Sequence, residues 1–307
     1  MNNYYDYVSS HPEELRQFSC KDLLFLIIDC PPDFTKGEDW SQYNCFLHVL
    51  TGNKKIFSRE NEWYLEKGST VFLKKGGIGI ERIGDEPFCA LMFYVPDDYI
   101  CNLIRNTSVP LPINENFTPS SDTLLPVESN EVLAAFYVSV LPYFSKTVAP
   151  HEDLLELKFK ELFINIITNP VNKELTAYFC KLLRTCKEDL KDVMERNYLY
   201  NLQLHEFARL CHRSLSKFKR DFHEAFGTAP GRWLIEKRLK RASQLLIDSD
   251  KTILEITMDC GFLNTAHFCR AFKKIYGASP LHYRQSSRMA ANTVSPGFEL
   301  QDHFSGL

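Results

Sequence analysis

Two short stretches carry side chains suited to bonding with a polar, anionic surface. The first is Ser214-Leu215-Ser216-Lys217-Phe218-Lys219-Arg220-Asp221-Phe222, and the second is Asn264-Thr265-Ala266-His267-Phe268-Cys269-Arg270-Ala271-Phe272. Helical spacing gathers the phenylalanines on one face. It leaves Ser216, Lys217, Lys219 and Arg220 outward on the first stretch, with His223 one turn on. On the second it leaves Asn264, Thr265, Ala266, His267, Arg270, Lys273 and Lys274 outward. Arginine and asparagine can make paired hydrogen bonds to base edges, serine, threonine and histidine single ones, and lysine neutralises phosphate. A helix bearing such groups in its N-terminal half can enter a major groove. On one helix alone these side chains read as a solvated face; the same polar, basic face in two copies favours DNA.

The copies are related by a fixed offset. Phe218, Arg220, Phe222, Phe226, Gly227, Pro230 and Trp233 recur 50 residues later as Phe268, Arg270, Phe272, Tyr276, Gly277, Pro280 and Tyr283. Two copies are too few for a solenoid, so the pattern reads as a duplicated helix-turn-helix. In the first, Leu204, Phe207, Ala208 and Cys211 support, His212-Arg213 turns, and Ser214 caps a helix with Leu215, Phe218, Phe222 and Phe226 inward. In the second, Ile253, Ile256, Thr257 and Cys260 support, and Gly261 turns. Asn264 or Thr265 caps the next helix, with Phe268, Phe272 and Ile275 inward. Between the copies, Gly231 to Ile247 is a helical run of about 26 Å at ~1.5 Å per residue. With half a motif at each end it approaches ~34 Å, one turn of DNA. Leu239 and Leu246 are placed to dock the motifs, and Lys237, Arg238, Lys240 and Arg241 make the other face basic.

These readers need a scaffold, and the rest of the chain supplies it. Short apolar runs punctuated by turns predict strands near Leu23–Asp29, Cys45–Leu50, Lys54–Phe57, Glu62–Leu65, Thr70–Leu73, Ile78–Ile83 and Cys89–Val95. Thr51-Gly52-Asn53 reads as a hairpin turn, Gly76-Gly77 as a break between strands, and Gly68 as a turn glycine. Such a series suggests a small antiparallel β-barrel or jelly roll. From 127 to 183 the period becomes helical, through Val132, Phe136 and Val140, then Leu154 to Ile166, with Asn169-Pro170 as a stop. That second helix is apolar over a wide arc, which predicts burial in its own domain, against a partner subunit, or both. The fold class expected is therefore α+β in two domains, with residues 1–185 forming the β domain and its helices and 186–287 an all-α domain. The polar stretch 288–307 is expected to be a disordered tail.

The chain of 307 residues has 24% charged and 44% apolar side chains, ordinary for a folded protein. Its net charge of −3 hides an asymmetry: residues 1–185 hold 17 basic against 25 acidic side chains, and residues 196–288 hold 17 against 8. A basic third on an acidic chain suggests one part that meets a polyanion. No run approaches ~18 uncharged apolar residues, and the N-terminus has no basic and apolar leader, so no membrane association and a cytoplasmic location are expected. The ten cysteines, from Cys20 and Cys30 through Cys186 to Cys269, include no C-x-x-C pair and read as reduced thiols. The histidines before residue 200, His11, His48 and His151, are single and far apart, so no metal or other cofactor is expected. His48 reads as an ordinary strand residue.

The stretch from Leu190 to Arg284 resembles the AraC/XylS family of transcription regulators. The resemblance rests on Gly227-x-x-Pro230-x-x-Trp233-Leu234, Arg238-Leu239-x-x-Ala242-x-x-Leu245-Leu246 and Ile253-x-x-Ile256. It continues through Cys260-Gly261-Phe262, Phe268-x-Arg270-Ala271-Phe272-Lys273 and Gly277-Ala278-Ser279-Pro280. Two departures are Thr257, where the family usually has alanine, and Trp233 for a usual tyrosine. The resemblance implies a bacterial regulator of double-stranded DNA, commonly an activator that contacts RNA polymerase. It also implies an N-terminal cupin-like domain that dimerises and senses a small molecule or a protein. The layout is similar to activators of type III secretion genes, which answer to a protein partner. Two other classes compete: a metal-dependent cupin enzyme fused to a DNA-binding module, which the missing His pair opposes, and a DNA-repair methyl acceptor, which the scattered cysteines oppose.

Overall fold

A computed structural model of the chain describes residues 1–13, 15–29, 35–109, 119–145, 149–185 and 190–293. Cys30, Cys186, the boundary expected at 186 and the tail beyond Thr293 lie outside them. The chain divides into two compact units: residues 1–197 with 202–229, and residues 198–201 with 230–307.

The first unit opens with β1 (Asn2–Asn3), α1 (Tyr4–Ser10), β2 (Arg16–Cys20), β3 (Leu23–Asp29), β4 (Lys36–Ser41) and β5 (Asn44–Thr51). It continues with β6 (Asn53–Phe57), β7 (Glu62–Leu65), β8 (Thr70–Leu73), β9 (Gly76–Ile83), β10 (Cys89–Val95), α2 (Asp97–Arg105) and β11 (Leu124–Pro126). Helices α3 (Glu131–Phe144), α4 (Glu152–Thr168) and α5 (Lys173–Thr185) follow, then α6 (Leu190–Asn197), α7 (Leu204–Leu210) and α8 (Leu215–Phe226). The second unit holds α9 (Pro230–Asp248), α10 (Ile253–Asp259), α11 (Thr265–Tyr276) and α12 (Pro280–Thr293).

The strands form two sheets, ordered β1-β4-β9-β6-β7 and β11-β8-β5-β10-β3-β2. Among the described residues all strand pairs are antiparallel except β1 with β4. Both faces of the second sheet are buried, which is why β3 and β10 read as unbroken apolar runs. Leu24, Leu26, Leu47, Val49, Ala90 and Met92 face one core, with Ile56 from the first sheet. The alternate residues Phe25, Phe46, Leu91 and Phe93 face a second core under α3, α4 and α5. Most of the wide apolar arc of α4 is spent within its own unit, where Leu155, Phe159, Leu162, Phe163 and Ile166 are buried, while Leu154 and Leu157 stay exposed. His48 stacks on Tyr137 at 3.7 Å and bonds Thr70 Oγ1 at 2.9 Å, as a strand residue rather than a ligand.

Several expectations need correction. Thr51-Gly52-Asn53 is no hairpin: β5 and β6 belong to different sheets, and Gly52 turns the corner at φ 72°, where a Cβ would meet Pro87 O. Gly76 and Gly77 open β9 rather than break a pair: they pair with Ser41 and Trp40 of β4, and the Asn197 side chain comes up against them. Residues 288–293 are not a loose tail. They extend α12, where Arg284 donates to Leu246 O and Lys251 O and Arg288 pairs with Asp250.

Candidate nucleic-acid interface

Each reading helix is built the same way. Ser214 Oγ accepts from Lys217 N at the start of α8, and Asn264 Oδ1 accepts from Ala266 N and His267 N at the start of α11. Each ends on a left-handed glycine, Gly227 at φ 68° and Gly277 at φ 76°, and each is followed by a proline opening the next helix. Inside, Phe218 and Phe222 have ring centroids 5.7 Å apart, as do Phe268 and Phe272. Phe222 stacks on Phe226 at 4.3 Å, and Phe272 on Tyr276 at 4.5 Å. The offset of the sequence repeat therefore appears again as matched ring geometry. Phe218, Phe222, Phe268 and Phe272 are fully buried, so these rings are core.

Two inward assignments fail. Leu215 is exposed, and Ile275 is 48% exposed; Tyr276, one position on, takes the inward place beside Phe272 and Tyr283. Arg238 is also misplaced by the sequence reading. It turns in from α9, donates to Tyr198 O at 2.7 Å and Tyr200 O at 2.8 Å, and lies over Phe262, so it fastens a bend instead of lining a basic surface. Leu239, Ala242 and Leu246 of α9 are buried with Ile256, Cys260, Phe268 and Phe272. Thr257 adapts to its apolar surroundings by donating to Ile253 O at 2.7 Å.

The outward faces are open. Ser216, Lys217, Lys219 and Arg220 are exposed on α8, with His223 a turn further on. On α11, Ala266, His267, Arg270, Lys273 and Lys274 are exposed, Asn264 is exposed at the cap, and Thr265 is half-buried. The structure thus brings the first four together on one helix and the other seven together on another. Arg220 is 75% exposed with Nε 3.7 Å from Asp221 Oδ1, while Asp221 is held by Arg213 Nε at 2.8 Å. That hydrogen bond to Arg213 is the main reason the Asp221 carboxyl lies below its usual range. Asn264 spends its carbonyl oxygen on the helix start, leaving its amide group for outside contact.

The turns of the two motifs differ. Gly261 holds φ 73° in the second motif, with no room for a Cβ beside Leu199 O. In the first motif the corresponding left-handed residue is His212, at φ 49°. Its Nε2 lies 3.9 Å from Asp97 Oδ2, and Asp97 forms a buried ion pair with Lys75. Burial alone would raise the Asp97 carboxyl, but Lys75, with His212 and the Asn44 amide, holds it below its usual range. Among the described residues no group of three or more His, Cys, Asp or Glu is placed to hold a metal ion, and no helix is long and apolar enough to cross a membrane.

Two capped helix-turn-helix copies with open, basic faces define a DNA-binding transcription regulator. Residues 44–178 match the family described as ExsA N-terminal regulatory domain, and residues 207–286 match a helix-turn-helix domain family. The chain is 32% identical to the HTH-type transcriptional regulator ExsA of Pseudomonas aeruginosa over 242 residues, 77% of this chain and 84% of that one. It is 24% identical to the virulence regulon transcriptional activator VirF of Yersinia enterocolitica over 241 residues, 78% of this chain and 88% of that one. A crystal structure of ToxT from Vibrio cholerae matches 86% of this chain and 97% of its own, with 14% identity and a TM-score of 0.43. The chain belongs to the AraC/XylS family of transcription regulators. It is a regulator and not an enzyme.

Proposed function

We propose that the protein is a sequence-specific transcription activator whose α8 and α11 each read a major groove. Arg220 and Arg270 contact base edges, supported by Ser216, Asn264, Thr265, Ala266 and His267. Lys217, Lys219, Lys273 and Lys274 neutralise phosphate. The observation that carries this reading is the repeat itself, two helices with matching cores and caps and the same polar, basic face. The rod of α9, 19 residues or about 28 Å, is of a length to set two readers one DNA turn apart. Activation is supported by VirF, which is named an activator, and contact with RNA polymerase is what the AraC/XylS resemblance implies. Residues 186–287 act as the DNA-binding domain, in the cytoplasm.

Residues 1–185 sense an effector and dimerise. A cavity of about 300 Å³ lies between the sheets, lined by Trp40, Leu47, Ile56, Ile78, Met92 and Tyr94 among others. Its lining suits a small, largely apolar molecule. Leu154 and Leu157 on α4 and Val171 before α5 are exposed, which supports a second copy of the chain as their cover.

The test is binding to a duplex selected from a random pool by the full chain. Arg220→Ala and Arg270→Ala each cost about 1–3 kcal/mol on that duplex and relax preference at one position. An equal loss on selected and random DNA reduces the arginine to a phosphate contact.

A further inference from the structure

The first reading motif is fastened to the β domain at two points, and the helix before it at a third. In α7, Arg209 Nη2 donates to Asp6 Oδ1 at 2.9 Å and Arg209 Nη1 lies 2.8 Å from Asp6 Oδ2, a two-pronged pair to α1. The same guanidinium lies over the Trp40 ring at 5.5 Å. In the following turn, His212 approaches Asp97 and has its ring 6.3 Å from that of Tyr43. At the end of α6, Asn197 Oδ1 accepts from Gly77 N at 2.8 Å and Arg196 Nη2 donates to Lys75 O at 3.1 Å. Trp40 and Tyr43 also line the cavity.

The groups that receive these contacts are themselves held by hydrogen bonds within the β domain. Asp97, Lys75 and Asn44 are all buried, with Asn44 Nδ2 donating to Asp97 Oδ1 at 2.8 Å and Lys75 N to Asn44 Oδ1 at 3.1 Å. Gln42 Nε2 donates to Asp6 Oδ1 at 3.2 Å. His212 also holds a left-handed backbone that glycine holds in the other motif, so its side chain is kept at a conformational cost. With all three fastenings made, Ser216, Lys217, Lys219 and Arg220 still face outward.

We propose that Arg209 and His212 are positioning residues that seat the first helix-turn-helix motif on the β domain in a pose ready for DNA, making Asp6 and Asp97 determinants of DNA affinity. Neither carboxylate touches DNA; Asp6 acts through Arg209, which it holds, and Asp97 through His212, which it faces. The DNA part of this inference rests on α8 being a reader.

The test uses the full chain with exchanged charges. Asp6→Arg and Arg209→Asp alter half-exposed groups, so the fold survives each change. Hydrogen exchange without DNA is expected to rise about fivefold across 204–226 in each single variant and to return to the parent rate in the double variant. Affinity for the selected duplex falls by about the same factor in each single variant and recovers in the double, with the lost footprint confined to the half protected through Arg220. His212→Gly, which suits the turn better, leaves thermal stability unchanged or higher yet loosens the same half-site. Unchanged exchange in the single variants, or no recovery in the double, overturns the seat. Exchange that responds while DNA affinity does not overturns the positioning role. Failure of α8 as a reader is seen separately, as an Arg220→Ala variant that binds the selected duplex normally.

Discussion

Arg220 and Arg270 occupy the same slot of their helices, and both point outward from a core of paired phenylalanines. Lys217 and Lys273 lie on the same faces without the fork geometry that reads a base edge. Lys217→Ala or Lys273→Ala therefore weakens binding to all DNA alike and lowers the salt slope by about one, checked by titration at several salt concentrations. His48 makes a different prediction. Burial pushes it down to about 4, so the folded chain keeps it neutral while the unfolded chain protonates near 6.5. Stability from this group is complete above pH 6.5 and is lost as pH falls toward 4, by about 2 kcal/mol after allowing for partial solvent contact. A His48→Phe variant keeps the stack on Tyr137 and shows a shallower loss over that window in pH-dependent melting.

The helix ends and turns carry the next set of consequences. A Cβ on Gly277 meets nothing, so Gly277→Ala costs only the left-handed backbone, about 1 kcal/mol. Gly261→Ala adds an overlap with Leu199 O and costs about 2 kcal/mol or more, so urea melts rank the two variants in that order. Ser214→Ala removes the cap of α8 at about 1 kcal/mol, reported by the same melts. At this level the sequence was informative where periodicity and caps act locally. Phenylalanine spacing and the Ser214 cap read correctly, Asn264 is one of the two caps the sequence offers for its helix, and seven strands lie where their apolar runs predict. Strand β4 was missed because Lys36-Gly37-Glu38-Asp39-Trp40-Ser41 buries only Trp40, so no apolar alternation marks it. Helix α2 was missed because Pro96-Asp97-Asp98 looks like a turn, although Pro96 ends up as a helix cap. Ile275 was misread because helical spacing allows either it or Tyr276 inward, and the aromatic stack decides.

The chain as a whole joins an apolar β sandwich to a duplicated basic reader. Its acidic first part and basic last part follow that division of labour, since only the readers gain from positive charge near phosphate. The contacts of Arg209 with Asp6 and of His212 with Asp97 were invisible in the sequence. Each links residues far apart in the chain, and a lone charged residue on a short helix gives no sign of its partner. The central claim is that two copies of one motif bind a single duplex together. Hydroxyl-radical footprinting of the full chain on a selected duplex tests it most directly. The account predicts two protected segments about 10–10.5 base pairs apart on one face, one lost in Arg220→Ala and the other in Arg270→Ala. A single protected segment, or two that respond alike to both substitutions, contradicts it.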